Sequence, residues 1–220
     1  MRGENEKVKI PVILPLLFKN EIAKSRYSFI SKFAAKHPTM QRISGFLLAA
    51  MGWNITSQIP SDIKKAIIIM APHTSYFDFV MGKFGYWYLG IQSRFYIKRE
   101  AFFWPLGPLL TQLGGIPVDR RRKSHVLEMT TRYFKENESF YLTITPEGTR
   151  ALVRQWKKGF YILAIKTGVP IVLGYLDYQK KTGGPTKVFY PTGDYEADMK
   201  KIEAFYRGIN GLHPERFNVK

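Results

Sequence analysis

Residues 65–78 read KAIIIMAPHTSYFD, and how this stretch divides decides the fold. Lys65 to Ala71 is a short apolar, β-branched run closed by a proline, which reads as a buried strand rather than a helix. Pro72 restricts Ala71 to extended geometry and ends the strand there. Residues 77–89 then carry an aromatic-rich helical pattern. A strand thus passes directly into a helix.

The alternation continues along the chain. RFYIK (94–98) is a second strand, and Pro105 and Pro108 interrupt the region after it. GGIPVDR (114–120) holds a short strand, with a helix over about 124–136. FYLTIT (140–145) is a strand, and KGFYILAIKTG is a helix with Gly168 placed to cap its end. VPIVLGYLDY (169–178) is a strand, the turn KTGGP (181–185) leads to another at 187–190, and a last helix runs from about Tyr195 to Arg207. Strands alternating with helices predict an α/β fold: a mixed, largely parallel sheet flanked by helices and closing in an antiparallel hairpin.

Residues 1–60 differ in character and are expected to form an N-terminal helical segment, with residues 61–220 as the catalytic unit. Two helical candidates are split at His37-Pro38. Tyr27, Ile30 and Phe33-Ala34 recur at helical spacing in the first, among Lys24, Arg26, Lys32 and Lys36. Ile43, Phe46-Leu47 and Ala50-Met51 do so in the second. Basic amphipathic helices suit a membrane interface, and they equally suit packing on a core. No run of about 18 apolar residues exists, so no transmembrane span is expected. Nor is a secretory signal expected, because Glu4 and Glu6 precede the apolar stretch from Ile10 to Phe18 and no small-residue cleavage site comes after it.

The 220 residues carry 34 Lys+Arg against 17 Asp+Glu, a net charge of +17, which calls for an anionic partner: nucleic acid or an anionic membrane surface. With no cysteine, disulfides, thiolate metal sites and cysteine nucleophiles are excluded. There is no G-x-S-x-G elbow, no P-loop and no H-E-x-x-H. No helix-turn-helix, zinc finger or aromatic RNA-binding motif supports nucleic acid. His37, His125 and His213 are scattered and read as structural or surface residues.

His73 is different because Asp78 lies five positions on. Within one helix the two would lie about 140° apart, so they meet only if the helix begins after His73. Asp78 in the first turn then reaches back to a ring nitrogen, fixing the tautomer and leaving the other nitrogen as a base. A structural alternative stands beside this one, since Ser75-x-x-Asp78 matches a capping pattern in which the carboxylate serves backbone N–H groups.

Two further stretches carry candidate chemistry. In TPEGTR (145–150), Gly148 permits unusual dihedrals or close approach, and Arg150 suits a phosphate or carboxylate; a plain turn with a surface arginine reads as well. In KREAFFWPLGPLLTQLGGIPVDRRRK, Lys98-Arg99 and Arg120 to Lys123 flank an apolar Pro/Gly-rich segment. A cationic edge beside an apolar surface suits an amphiphile with an anionic head, and a solvated charge run reads equally well.

Taken together, these stretches resemble the glycerolipid acyltransferase superfamily that includes lysophosphatidic acid acyltransferases. His73 to Asp78 is similar to its H-x4-D motif, Lys98-Arg99-Glu100 through Gly114 to Arg120 to its second block, Pro146 to Arg150 to its P-E-G-T-R block and Val169 to Val172 to its V-P-[IV]-[IV] block. Thr145 and Leu173 depart from the phenylalanine and proline common at the block edges. The resemblance implies acyl transfer from acyl-CoA or acyl carrier protein to the hydroxyl of a lysolipid, lysophosphatidic acid by default, with no cofactor or metal. A lyso-amino-acid lipid or another phosphate-free amphiphile would use the same base, and water as acceptor would make a thioesterase. The resemblance also implies His73 and Asp78 as the catalytic pair, and Lys98, Arg99, Arg120, Glu147, Gly148, Thr149 and Arg150 as substrate-binding residues. The basic N-terminal helices then hold the enzyme peripherally on anionic lipid at the cytoplasmic face, and nucleic acid is not an expected partner.

Overall fold

The computed structural model describes residues 38–119 and 121–219. The first N-terminal helical candidate and Arg120 therefore lie outside the described residues. α1 (Pro38–Ala50), β1 (Asn54–Ile55), β2 (Lys65–Met70) and α2 (Phe77–Tyr88) come first. β3 (Ser93–Lys98), α3 (Leu106–Gln112), β4 (Gly115–Val118) and α4 (Lys123–Glu136) are next. β5 (Phe140–Ile144), α5 (Gly159–Thr167), β6 (Ile171–Asp177), β7 (Thr182–Phe189) and α6 (Tyr195–Tyr206) complete the order.

The seven strands form one sheet in the order β1-β7-β6-β2-β5-β3-β4. β2, β3, β4, β5 and β6 run parallel, and β7 returns antiparallel to β6 with β1 parallel beside it. The α/β architecture is thus the one expected, including the antiparallel closure. β2 lies at the centre, and its unbroken apolar run follows from that position. Ile67 and Ile69 face a core with Phe160, Leu173 and Ile202, while Ala66 and Ile68 face Tyr86 and Val172 on the other side. A strand covered on both faces has no polar side to alternate with.

Two local expectations are corrected. The KTGGP stretch is not the hairpin turn: the chain turns at residues 178–181, and Gly183 to Pro185 already belong to β7. Gly184 adopts φ +119°, and a Cβ there would collide with the carbonyl oxygen of Thr56, so the close approach of β1 requires glycine. The proline-interrupted region contains α3, because Pro108 falls within the first turn, where an intrahelical N–H has no partner to lose.

α1 forms where the second amphipathic helix was expected. Its buried residues are Ser44 and Leu48, with Gly45 close against the Tyr88 ring and the Gln41 side-chain amide donating to the Tyr88 carbonyl at 2.9 Å. The apolar stripe of Met40, Ile43 and Phe46 stays exposed, Phe46 by 73%. α1 docks on α2 through its small residues and leaves its greasy side outward. No described helix is long and apolar enough to cross a membrane.

Candidate active site

In a parallel sheet all strand C-termini arrive at one edge, and the loops gathered there build the site. Here β2 delivers residues 71–76, β5 delivers residues 145–150 and β3 delivers Lys98-Arg99.

His73 lies on the turn after β2, outside the helix, and Asp78 is the second residue of α2. Nδ1 of His73 is 3.2 Å from Oδ2 of Asp78. That same Oδ2 accepts from the backbone N–H groups of Thr74 at 2.8 Å and Ser75 at 2.9 Å. The contacts that the catalytic and capping readings of the sequence each required are therefore made by one carboxylate. The serine half of the capping pattern is not formed, because Ser75 Oγ accepts from Phe77 N–H instead. Asp78 is buried. Burial opposes its charge, but donors from His73, Ser75, Tyr178 and Thr74 together hold its carboxyl below the ordinary carboxylate value. An ionised carboxylate only accepts, so Nδ1 carries the ring proton and Nε2 is left with a free lone pair.

Glu147 points inward. It is buried, and its Oε1 accepts from the backbone N–H of His73 at 2.9 Å, so the PEGTR loop holds the histidine turn from below. Its Oε2 finds no donor among the described residues, and burial pushes its carboxyl up to about 7. Gly148 adopts φ +66°, and the Lys157 ammonium occupies the space a Cβ would take. Thr149 is exposed and its Oγ1 accepts from Ala151 N–H at 3.3 Å. The Arg150 guanidinium sits 3.6 Å over the ring of Tyr76, which binds the PEGTR loop to the H-x4-D loop. Lys98 and Arg99 are exposed at the end of β3. Asp119, beside Arg120, is paired through both its oxygens with Arg121.

Sequence reasoning missed several supports of the site. Tyr178, directly after β6, donates its O–H to Oδ1 of Asp78 at 2.8 Å. Thr74 is buried beneath the segment after α6, its Oγ1 accepting from His213 N–H at 3.1 Å and its carbonyl from Arg216 at 3.4 Å. Tyr206 donates to the carbonyls of Ile69 and Gly174 where β2 and β6 meet. Thr74 lies within the H-x4-D stretch, whereas Tyr178, Tyr206, His213 and Arg216 belong to no motif and reach the site only through the fold. Tyr178 alone had a usable signal, since it ends a strand that the sequence marks.

Comparison with known proteins bears on this arrangement. The sequence model of the family described as Acyltransferase matches residues 53–173. No curated protein sequence matches. The crystal structure of the 1-acyl-sn-glycerophosphate (LPA) acyltransferase PlsC from Thermotoga maritima resembles this chain with a TM-score of 0.53. The two are 20% identical over 88% of this chain and 83% of that one, a likeness that speaks for the fold.

Proposed function

The chain belongs to the acyltransferase family, and on that premise we propose that it transfers a fatty acyl group from a thioester donor, acyl-CoA or acyl carrier protein, to the hydroxyl of a lysolipid, with lysophosphatidic acid as the preferred acceptor. The observation that carries the proposal is the His73–Asp78 contact on the turn after β2, with Nε2 left as the free base. Nε2 takes the proton of the acceptor hydroxyl as its oxygen attacks the thioester carbonyl carbon. Ionised Asp78 stabilises the imidazolium that results. The tetrahedral intermediate then expels the thiolate, which leaves with the proton held by His73. Backbone N–H groups near Gly148 are suited to the oxyanion.

The anionic head group is assigned to Arg150 and Lys157, together with Arg120, Lys98 and Arg99. Their positive charge supports a phosphate-bearing acceptor. The exposed Met40, Ile43 and Phe46 of α1, together with Phe103 and Trp104 ahead of α3 (Trp104 is 85% exposed), support attachment to an anionic lipid surface. Residues 1–60 are proposed as the membrane-associating segment and 61–220 as the catalytic unit.

The test is transfer of labelled acyl chains from acyl-CoA and from acyl carrier protein to a panel of lysolipids with and without phosphate. Wild-type protein is expected to acylate lysophosphatidic acid, and His73→Ala to lose the activity while remaining folded. Full activity in His73→Ala would sink the mechanism. Thiol release that does not require a lysolipid would convert the assignment to a thioesterase.

A further inference from the structure

The His–Asp contact leaves one degree of freedom unexplained. The terminal torsion of an aspartate is broad, so the carboxylate plane is not set by the side chain itself. Two backbone donors, from Thr74 and Ser75, converge on Oδ2, the oxygen that faces His73. They hold one end of the carboxylate, and the tolerance of those two bonds still leaves a spread in its torsion about Cβ–Cγ. The other oxygen, Oδ1, accepts from Tyr178 at 2.8 Å, and a donor on each oxygen narrows that spread.

We propose that Tyr178 is a positioning residue for the His73–Asp78 pair: its hydroxyl locks Oδ1 and thereby keeps Oδ2 in line with the imidazole. The kinetic consequence rests on the acyl-transfer function proposed for the same pair.

The topology supplies the reason a residue so distant in sequence arrives here. β6 lies beside β2 with Gly174 opposite Met70, so the residues four beyond each emerge together at the same sheet edge. Tyr178 is itself held firmly. Its ring meets Trp53 edge-on at 5.0 Å and 87°, and its N–H donates to the Asn210 carbonyl at 2.8 Å. Burial and the charge of Asp78 keep the phenol protonated well above its ordinary range, so it acts as a constant donor. A hydrogen bond to a charged acceptor is among the stronger kinds. The remaining groups around the turn engage other atoms: Glu147 the His73 N–H, His213 and Arg216 the two oxygens of Thr74.

Tyr178→Phe removes one hydroxyl and preserves the ring contact with Trp53. The first measurement needs no substrate. The proton on Nδ1 of His73, bonded to a carboxylate, gives a downfield NMR resonance that His73→Ala identifies by its loss. In Tyr178→Phe this resonance is expected to broaden or move upfield, with the thermal midpoint close to that of wild type. The second measurement is steady-state transfer, where kcat is expected to fall roughly tenfold with KM little changed. An unaltered resonance in Tyr178→Phe, or none in the wild-type protein, overturns the proposal. So does a normal kcat in Tyr178→Phe when wild-type protein is active, or a loss confined to KM. If the resonance responds as expected but wild-type protein acylates no lysolipid, the positioning stands and the acyl-transfer reading falls.

Discussion

Glu147→Gln isolates the electrostatic consequence of turning a carboxylate inward. The substitution keeps a carbonyl oxygen to accept from His73 N–H and removes the ability to ionise. In the folded protein the Glu147 carboxyl titrates at about 7 against the ordinary 4.5, because burial opposes its charge and Oε2 finds no donor among the described residues. The folded state thus binds the extra proton between these values while the unfolded chain releases it. Stability from this group is present below about 4.5 and is lost as the pH rises through about 7. The loss between about pH 5 and about pH 8 is on the order of 2 to 3 kcal/mol, at 1.36 kcal/mol for each unit of displacement. Asp78 acts in the opposite sense and outside this window: its carboxyl is held below 3.8, so its contribution is present above that value and lost only as pH falls through the lower one. Urea unfolding of both proteins at several pH values measures the effect. The stability of Glu147→Gln relative to wild type is expected to grow by about 2 to 3 kcal/mol from the acid to the alkaline end, with other titrations cancelling in the difference. Parallel stability curves would refute the view that an uncompensated buried carboxyl lies under the catalytic turn.

Other perturbations have comparably definite outcomes. Gly184→Ala puts a methyl group into the Thr56 carbonyl at φ +119° and is expected to cost roughly 3 kcal/mol, seen as a fall of roughly 10 °C in thermal midpoint. Tyr76→Ala removes the platform beneath Arg150 and is expected to raise KM for a phosphate-bearing acceptor a few-fold, in keeping with the roughly 0.5–1 kcal/mol of an exposed cation–π contact, without lowering the midpoint; an unchanged KM would separate Arg150 from the head group. Phe46→Asp, on a side chain that touches little, is expected to reduce co-sedimentation with anionic vesicles at unchanged stability, and undiminished binding would move the membrane contact elsewhere.

The sequence by itself determined the strand-helix alternation, the apolar run 66–71 as a buried strand and the position of His73 outside the helix. These depend on short-range causes: β-branched runs, a proline that ends a strand, and the angular step of a helix, which keeps His73 and Asp78 apart unless the helix starts late. The ordered motifs pointed to the same loops that the parallel sheet collects at one edge. What the tertiary structure alone decided were the partners. Whether Asp78 serves backbone N–H groups or contacts His73 looked like a choice, and the fold brings both sets of partners to one oxygen, Oδ2, while Oδ1 takes Tyr178. Glu147, named with the substrate-binding residues, is buried and accepts from the His73 N–H. α1 is helical as expected but docks through Ser44, Gly45 and Leu48, with Gly45 close against the Tyr88 ring and Leu48 in an apolar cluster with Met81. Tyr178 reaches Asp78 across a hundred residues because neighbouring parallel strands end side by side. Periodicity records which residues are apolar or polar, and register across the sheet records which of them meet.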